Sequence, residues 1–170
     1  MTADVLAALT AAAAQYGVPL DLAIAVANQE SGGNQYNASG GILTSSAGAL
    51  GVMQLMPATA AGLGVDPTDM TQNVDGGVRY LSQLLAEFDG NQTLAIAAYN
   101  WGPGNISKNG MSNWPEETEN YVSSILTAIG VAPGTDDDSS SGAAPSTGNL
   151  VAIAAAGALA LFVITEVLGT

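Results

Sequence analysis

One glutamate of this sequence is placed for acid–base chemistry. Glu30 ends an almost wholly apolar run, LDLAIAVANQE at 20–30, and the two basic residues, Arg79 and Lys108, are both distant from it in the sequence. Burial against the apolar face of a helix would raise the pKa of this carboxyl group, because desolvation disfavours the charged form. A general acid needs such a raised pKa near neutral pH. The alternative is an ordinary glutamate in the last turn of a helix, pointing into water.

Gln54 is the second polar residue that needs an explanation. The stretch GALGVMQLMP at 48–57 carries no charge and places Gln54 between Met53 and Leu55. A buried amide without a partner costs roughly 2–7 kcal/mol, so the backbone satisfies this side chain or it lines a cleft and binds a ligand. An amide can donate and accept, as recognition of acetamido and hydroxyl groups requires. Apolar neighbours are typical of a ligand site.

The composition excludes several kinds of catalysis. The 170 residues contain no cysteine and no histidine, which removes thiol nucleophiles, Ser-His catalysis and the usual zinc ligands. Acid–base chemistry must then come from Asp, Glu, Tyr or water, and we expect no metal ion and no cofactor. With 15 acidic and two basic residues the net charge is −13, whereas nucleic-acid binding needs a basic face. We therefore predict no nucleic-acid partner.

Helices are the only regular elements that the pattern predicts. Apolar residues recur at helical spacing in several segments, and no stretch shows the alternation of a strand. Pro115, followed by Glu116 and Glu117, marks a helix start, and residues 31–46 and 66–73 are predicted to be loop and turn. We predict an all-α domain over residues 1–130, with helices at 3–16, 20–30, 57–63, 74–89, 92–100 and 115–129.

Two segments follow this domain. Residues 131–149, VAPGTDDDSSSGAAPSTGN, are of low complexity and are predicted to be a flexible linker. Residues 150–168 have Glu166 as their only charge, and as a helix they would extend roughly 28 Å, near the thickness of a bilayer core. We predict a single C-terminal transmembrane helix there; the alternative is a buried helix of a second domain. The first residues, MTAD, lack Lys and Arg, so we do not expect residues 3–16 to be a signal peptide.

Four motifs in a fixed order resemble one enzyme family. They are ESGGN at 30–34, AGALGVMQLMP at 47–57, AAYNWGPGN at 97–105 and PEETENYV at 115–122. The segments YGVPLDLAIAVANQES at 16–31 and NVDGGVRYLSQLL at 73–85 add to the likeness, which covers residues 4–129. The chain resembles the lytic transglycosylases of the soluble-lytic type, which are lysozyme-like enzymes that cleave peptidoglycan.

The resemblance implies the roles of individual residues. Glu30 matches the catalytic acid of the family and Ser31 its helper, and the tyrosine that matches Tyr121 lies near the catalytic glutamate. The ligand implied for the cleft is the alternating N-acetylglucosamine–N-acetylmuramic acid strand. Substrate-binding positions are implied for Ser31, Ser45, Gln54, Met56, Tyr99, Asn100 and Tyr121.

Two features depart from the family pattern. The gap between the Glu-Ser pair and Ser45 is longer than in the simplest members, so we expect residues 35–44 to form an extra loop at the cleft. Trp101 stands where the family usually has a small residue. We expect it at the cleft edge, stacked on a sugar face; the alternative is that it fills the core.

A reaction with a single acid fits this sequence better than one with two carboxylates. Most glycosidases use two, and besides Glu30 only Glu117 stands in a matching motif, where it also serves a helix N-terminus. Glu30 would protonate the glycosidic oxygen, the substrate's 2-acetamido group would stabilise the oxocarbenium ion, and the C6 hydroxyl would attack C1 to give a 1,6-anhydro sugar. Two alternatives stay open: a goose-type lysozyme-like muramidase that admits water, and a structural membrane protein that binds glycan without cleaving it.

The place of action is predicted from the C-terminal span. Peptidoglycan lies outside the cytoplasmic membrane, yet the chain shows no secretion signal and no basic residues that would orient the span. A phage with a lipid membrane in its particle would carry the enzyme to the wall. We therefore predict a membrane-anchored virion enzyme that opens the host wall when the phage genome enters. Its partners would be peptidoglycan strands, the lipid membrane and other virion membrane proteins. The alternatives are an enzyme of the bacterial envelope and a phage lysis protein.

Overall fold

The computed structural model describes residues 1–131. The predicted all-α architecture is confirmed for these residues, which contain isolated β-bridges but no strand. Within the same range, no helix combines the length and apolar character that crossing a bilayer requires. Residues 132–149 of the predicted linker and the predicted transmembrane helix at 150–168 lie outside the described residues. The helices are α1 (Ala3–Tyr16), α2 (Leu20–Ser31), α3 (Pro57–Leu63), α4 (Met70–Glu87), α5 (Gln92–Trp101), α6 (Pro103–Asn109) and α7 (Glu116–Ala128).

Two of these helices differ from the prediction. The turn predicted at 66–73 ends early because Asp69 caps α4, its side chain accepting the N–H of Gln72 at 2.8 Å. The helix α6 was not predicted at all. It begins with Pro103 directly after Gly102, a placement that suits a helix start. Its seven residues are too few for apolar periodicity to be visible.

The helix α4 is the central packing element. It contacts α1, α3 and α5, while α5 packs on α6 and α7. Gly77 of α4 allows a close approach, because a Cβ at this position would lie 2.4 Å from the Cβ of Met53. The segment that carries Met53 therefore lies directly on α4. The helix α2 packs on α7, which brings the C-terminal end of α2 beside the first half of α7.

Residues 32–56 connect α2 to α3 without a helix. Antiparallel bridges join Tyr36 to Ile42, Thr44 to Leu50, and Leu50 to Leu55, and so fold the segment back on itself. Residues 36–41 are exposed, as expected of an extra loop, but residues 51–55 are buried. Within the loop expected at 35–44, Gln35 is the exception: only 3% of its surface is exposed.

Candidate active site

Glu30 lies in the last turn of α2. The helix ends at Gly32, which adopts the left-handed conformation (φ 63°) and donates its N–H to the carbonyl oxygens of Ala27 and Asn28. Glu30 itself is partly buried. Its Oε1 accepts a hydrogen bond of 2.6 Å from the hydroxyl of Tyr121 on α7. The two groups that the sequence separates most widely within the predicted site are therefore in direct contact.

Burial raises the pKa of Glu30 to about 8, whereas the hydrogen bond from Tyr121 lowers it and opposes part of this effect. Arg79 does not offset the burial, because its guanidinium lies 3.8 Å from Asp75 and donates to the carbonyl of Leu63. The predicted rise of the Glu30 pKa through desolvation is confirmed. Burial also raises the pKa of Tyr121 well above its ordinary value, so the tyrosine keeps its proton and acts as the donor.

A cleft of about 520 Å³ opens over this pair. It lies between α2, α5 and α7, and no basic side chain lines it. Three of the predicted site residues meet here, namely Glu30, Asn100 and Tyr121. Since the carboxyl group of Glu30 is neutral below about pH 8, it can protonate an oxygen atom of a bound ligand. The lining residues are Gln29, Glu30, Asn100, Glu117, Asn120, Tyr121 and Ser124.

Four of the lining residues come from one face of α7. Glu117, Asn120, Tyr121 and Ser124 follow the spacing i, i+3, i+4, i+7, which places them on one side of a helix. Ser124 also donates to the Oε1 of Gln29 at 2.8 Å, a second contact between α2 and α7. Sequence reasoning identified Tyr121 but missed Asn120, Ser124 and Gln29 as lining residues. The helical spacing around Tyr121 was the signal that would have found the first two.

Asn100 presents a fixed amide to the cleft. The residue is 6% exposed, and its Oδ1 accepts a hydrogen bond of 2.8 Å from the hydroxyl of buried Thr118. This contact orients the amide and leaves its Nδ2 group as the remaining donor. Thr118, which stands in the predicted PEETENYV motif, thereby supports a lining residue without lining the cleft itself.

Ser31 and Ser45 are not among the residues that line this cleft. The hydroxyl of Ser31 lies 2.7 Å from the carbonyl oxygen of Val52 and accepts the N–H of Asn34. The hydroxyl of Ser45 accepts the N–H of Ala49 at 3.0 Å within a tight turn. Both hydroxyls are therefore bonded to backbone atoms, and any contact of theirs with a ligand stays a prediction.

Gln54 is satisfied in part by the backbone. It is 5% exposed and its Nε2 donates to the carbonyl of Gly51 at 2.8 Å. Gln54 is also a non-glycine residue with a positive φ of 47°, an uncommon conformation. Met56, two residues on, is partly exposed at the start of α3.

Tyr99 lies in the core and not on the cleft surface. It has no exposed surface, its ring centroid is 5.4 Å from that of Tyr80, and its hydroxyl donates to the carbonyl of Met53 at 2.9 Å. The expectation that its side chain faces the cleft is therefore corrected: the side chain is buried and bonds the backbone of Met53. Trp101 is partly buried and packs against the core cluster, as the alternative interpretation had it, and it is not among the cleft residues.

No group of three or more Asp or Glu side chains within residues 1–131 is arranged to hold a metal ion. The chain has no His or Cys that would add a ligand. The donors and acceptors of the cleft are instead amides, hydroxyls and two carboxyl groups, those of Glu30 and Glu117.

Comparison with known proteins identifies the family. The family model "Transglycosylase SLT domain" matches residues 7–122. A transglycosylase of Enterobacteria phage PRD1 is 38% identical over 120 residues, covering 70% of this chain and 40% of the phage protein. The soluble lytic murein transglycosylase of Escherichia coli is 33% identical over 103 residues, covering 52% of this chain and 15% of that protein.

A solved structure agrees with these matches. An inactive mutant of the lytic transglycosylase Slt from Pseudomonas aeruginosa aligns with a TM-score of 0.58 at 30% identity, covering 72% of this chain and 22% of that one. The chain thus spans 40% or less of the length of these relatives. The matched residues include all seven helices except the first turn of α1 and the last two turns of α7. The chain therefore belongs to the transglycosylase SLT domain family and has its all-α, lysozyme-like fold.

Proposed function

We propose that this chain is a lytic transglycosylase that cleaves the bond between N-acetylmuramic acid and N-acetylglucosamine in peptidoglycan. One observation carries the proposal: the Glu30 carboxyl is held in a cleft at 2.6 Å from the Tyr121 hydroxyl, with a pKa of about 8. A carboxylic acid that stays protonated at neutral pH is suited to protonate a glycosidic oxygen. Membership of the transglycosylase SLT domain family supports the choice of substrate.

The reaction needs only Glu30 and the substrate's own groups. Glu30 gives its proton to the glycosidic oxygen as the bond from C1 to that oxygen breaks, and the neighbouring 2-acetamido group stabilises the positive charge. The Glu30 carboxylate then takes the proton of the C6 hydroxyl while the bond from O6 to C1 forms. The product is a 1,6-anhydro sugar, Glu30 is again protonated, and no water is consumed. Asn100, through its Nδ2 group, is the residue we assign to the acetamido oxygen.

Mass spectrometry of digested peptidoglycan tests this function. The full chain should release muropeptides that are lighter by one water molecule than those from a lysozyme digest. Muropeptides that end in reducing muramic acid would show a hydrolase instead. Binding to peptidoglycan without release of any soluble fragment would show a glycan-binding protein. Glu30→Gln should release no detectable fragment, whereas Glu117→Gln, the same chemical change on the exposed carboxyl of the cleft, should still release the anhydro products.

We further propose that residues 150–168 anchor the enzyme in a membrane and that it acts from a phage particle. The apolar stretch with Glu166 as its only charge supports the anchor, and the similarity to a phage transglycosylase supports the location. The full chain should float with phosphatidylcholine vesicles in a density gradient. Leu159→Arg should weaken this association, because a charge at the centre of a span costs about 2.5–3.5 kcal/mol on insertion scales. Detection of the protein in bacterial envelopes but never in purified particles would refute the phage location.

A further inference from the structure

The segment from Leu50 to Leu55, here called the 50–55 loop, is bonded through its backbone to side chains from four other segments. The N–H of Val52 donates to Oε1 of Gln35 at 2.9 Å, and its carbonyl oxygen lies 2.7 Å from the hydroxyl of Ser31. The N–H of Met53 donates to Oδ1 of Asn73 at 2.8 Å, and its carbonyl accepts from the hydroxyl of Tyr99 at 2.9 Å. All four backbone polar groups of two consecutive residues are thus satisfied by side chains.

Two of these side chains, those of Gln35 and Asn73, use both ends of their amides. They are 3% and 0% exposed. The Nε2 of Gln35 lies 3.1 Å from the carbonyl oxygens of both Pro67 and Thr68. The Nδ2 of Asn73 lies 2.7 Å from the carbonyl of Leu50 and 3.0 Å from that of Pro67. Each amide therefore joins the 50–55 loop to the segment before α4.

The two amides meet at Gly51. A Cβ at Gly51 would lie 2.4 Å from Oε1 of Gln35 and 2.6 Å from Nδ2 of Asn73, and its φ of 74° is left-handed. Three residues later Gln54 adopts φ 47° without being glycine. Such a conformation persists only where the surrounding structure over-determines it. The buried amides supply that determination, because they hold the backbone of the residues just before Gln54.

The 50–55 loop is also tied to the cleft at two points. Ser31, which contacts the Val52 carbonyl, is the neighbour in sequence of Glu30. Tyr99, which contacts the Met53 carbonyl, is the neighbour of Asn100. A shift of the loop would therefore move the backbone beside both cleft residues. Displacing a reacting group by about 1 Å can cost about 100-fold in rate.

We propose that Gln35 and Asn73 are positioning residues of the active site, acting as one buried amide clamp on the 50–55 loop. This inference rests on the proposed function. The clamp touches no ligand; it holds Gln54 in its left-handed conformation and, through Ser31 and Tyr99, holds the ends of α2 and α5 from which Glu30 and Asn100 enter the cleft. Its loss should lower the rate of the bound complex more than the affinity for the glycan.

Steady-state kinetics on soluble, uncrosslinked glycan strands test the clamp in the full chain. Asn73→Ala and the nearly isosteric Gln35→Met should each lower kcat by about 10–100-fold while KM changes less than about threefold. The matched control is Gln72→Ala. Gln72 lies on the same helix and its amide oxygen accepts a backbone N–H, that of Asp66 at 3.0 Å, yet it does not contact the 50–55 loop. Because Gln72 is exposed, this control should lose little stability and should keep its kcat.

The outcomes separate the clamp from the proposed function. If the wild-type chain cleaves glycan and both clamp variants, assayed well below their unfolding temperatures, keep the kcat of Gln72→Ala, the clamp inference is refuted and the proposed function stands. If the wild-type chain cleaves nothing, the proposed function fails and the clamp fails with it. Hydrogen exchange gives a test without any variant: the N–H groups of Val52 and Met53 should exchange slowly in the wild-type protein, and fast exchange at both would overturn the clamp.

Discussion

Replacing Glu30 by glutamine should remove activity and, at alkaline pH, make the protein more stable. The substitution keeps the shape of the side chain and an oxygen that can accept the hydrogen bond from Tyr121. It removes the proton that the proposed reaction needs. Loss of a general acid typically costs about 10²–10⁴ in rate. The gain in stability follows from the pKa of the group that is removed.

The carboxyl pKa of Glu30 is raised from 4.5 to about 8 in the folded chain. Because the folded state holds the proton more tightly than the unfolded state, this contribution to stability is complete below about pH 4.5 and is lost as the pH rises to about 8. At 1.36 kcal/mol for each pH unit, that interval sets an upper limit of about 5 kcal/mol. Relaxation and entry of water into the cleft reduce the penalty, so we expect about 2–4 kcal/mol. Glutamine cannot ionise and escapes this loss.

Urea unfolding followed by tryptophan fluorescence measures the effect. Glu30→Gln should exceed the wild type in free energy of unfolding by about 2–4 kcal/mol at about pH 9, and match it within about 1 kcal/mol at about pH 4. Glu117→Gln makes the same chemical change on an exposed side chain and should shift stability by less than about 0.5 kcal/mol at either pH. An equal gain at both pH values, or no gain at alkaline pH, would refute the argument from burial.

Three other substitutions give separate tests. Tyr121→Phe removes the hydrogen bond that lowers the pKa of Glu30, so the alkaline limb of the kcat/KM profile should move to higher pH by about one unit; no movement, or movement to lower pH, would contradict this. Thr118→Val leaves the Oδ1 of Asn100 without its donor and should lower kcat/KM about tenfold and stability by about 1–3 kcal/mol, as glycan cleavage and urea unfolding would show. Gly51→Ala places a Cβ against the amides of Gln35 and Asn73 and should lower the free energy of unfolding by about 1–3 kcal/mol. An unchanged midpoint of urea unfolding would contradict this, because it would mean that both amides move aside without loss of stability.

Much of the helical architecture could be predicted because helix signals are local. The bounds of α1 and α3 agree with those expected from the alanine-rich and Pro57-initiated segments. The helix predicted at 74–89 begins and ends earlier, as α4 at 70–87. Its start was missed because the cap at Asp69 is a single hydrogen bond and produces no apolar pattern. The short helix α6 was missed for a similar reason. Its first residue, Pro103, favours a helix start, but seven residues are too few to show an apolar periodicity.

Local sequence signals predicted only part of the candidate site. The apolar run before Glu30 predicted a raised pKa but left open a carboxyl group that points into water, and the fold decided for burial. The 2.6 Å contact with Tyr121 joins residues 91 positions apart in the chain, and only the packing of α2 on α7 creates it. Motif likeness suggested that both residues belong to one site, but it does not contain the distance between them.

The sequence by itself determined an acidic chain without histidine or cysteine and predicted an all-α domain over residues 1–130. Acid–base chemistry was thereby restricted to Asp, Glu, Tyr or water. Tertiary structure alone decided which polar side chains face a ligand and which face the backbone. Gln35 and Asn73 are of residue types that usually lie at the surface. They are nevertheless buried, because the N–H groups of Val52 and Met53 need partners where water cannot reach. Tyr99 lies beneath the cleft for the same reason, since its hydroxyl satisfies a buried carbonyl. Hydrogen-bond demand inside a core is set by where the whole chain folds, and no local pattern records it.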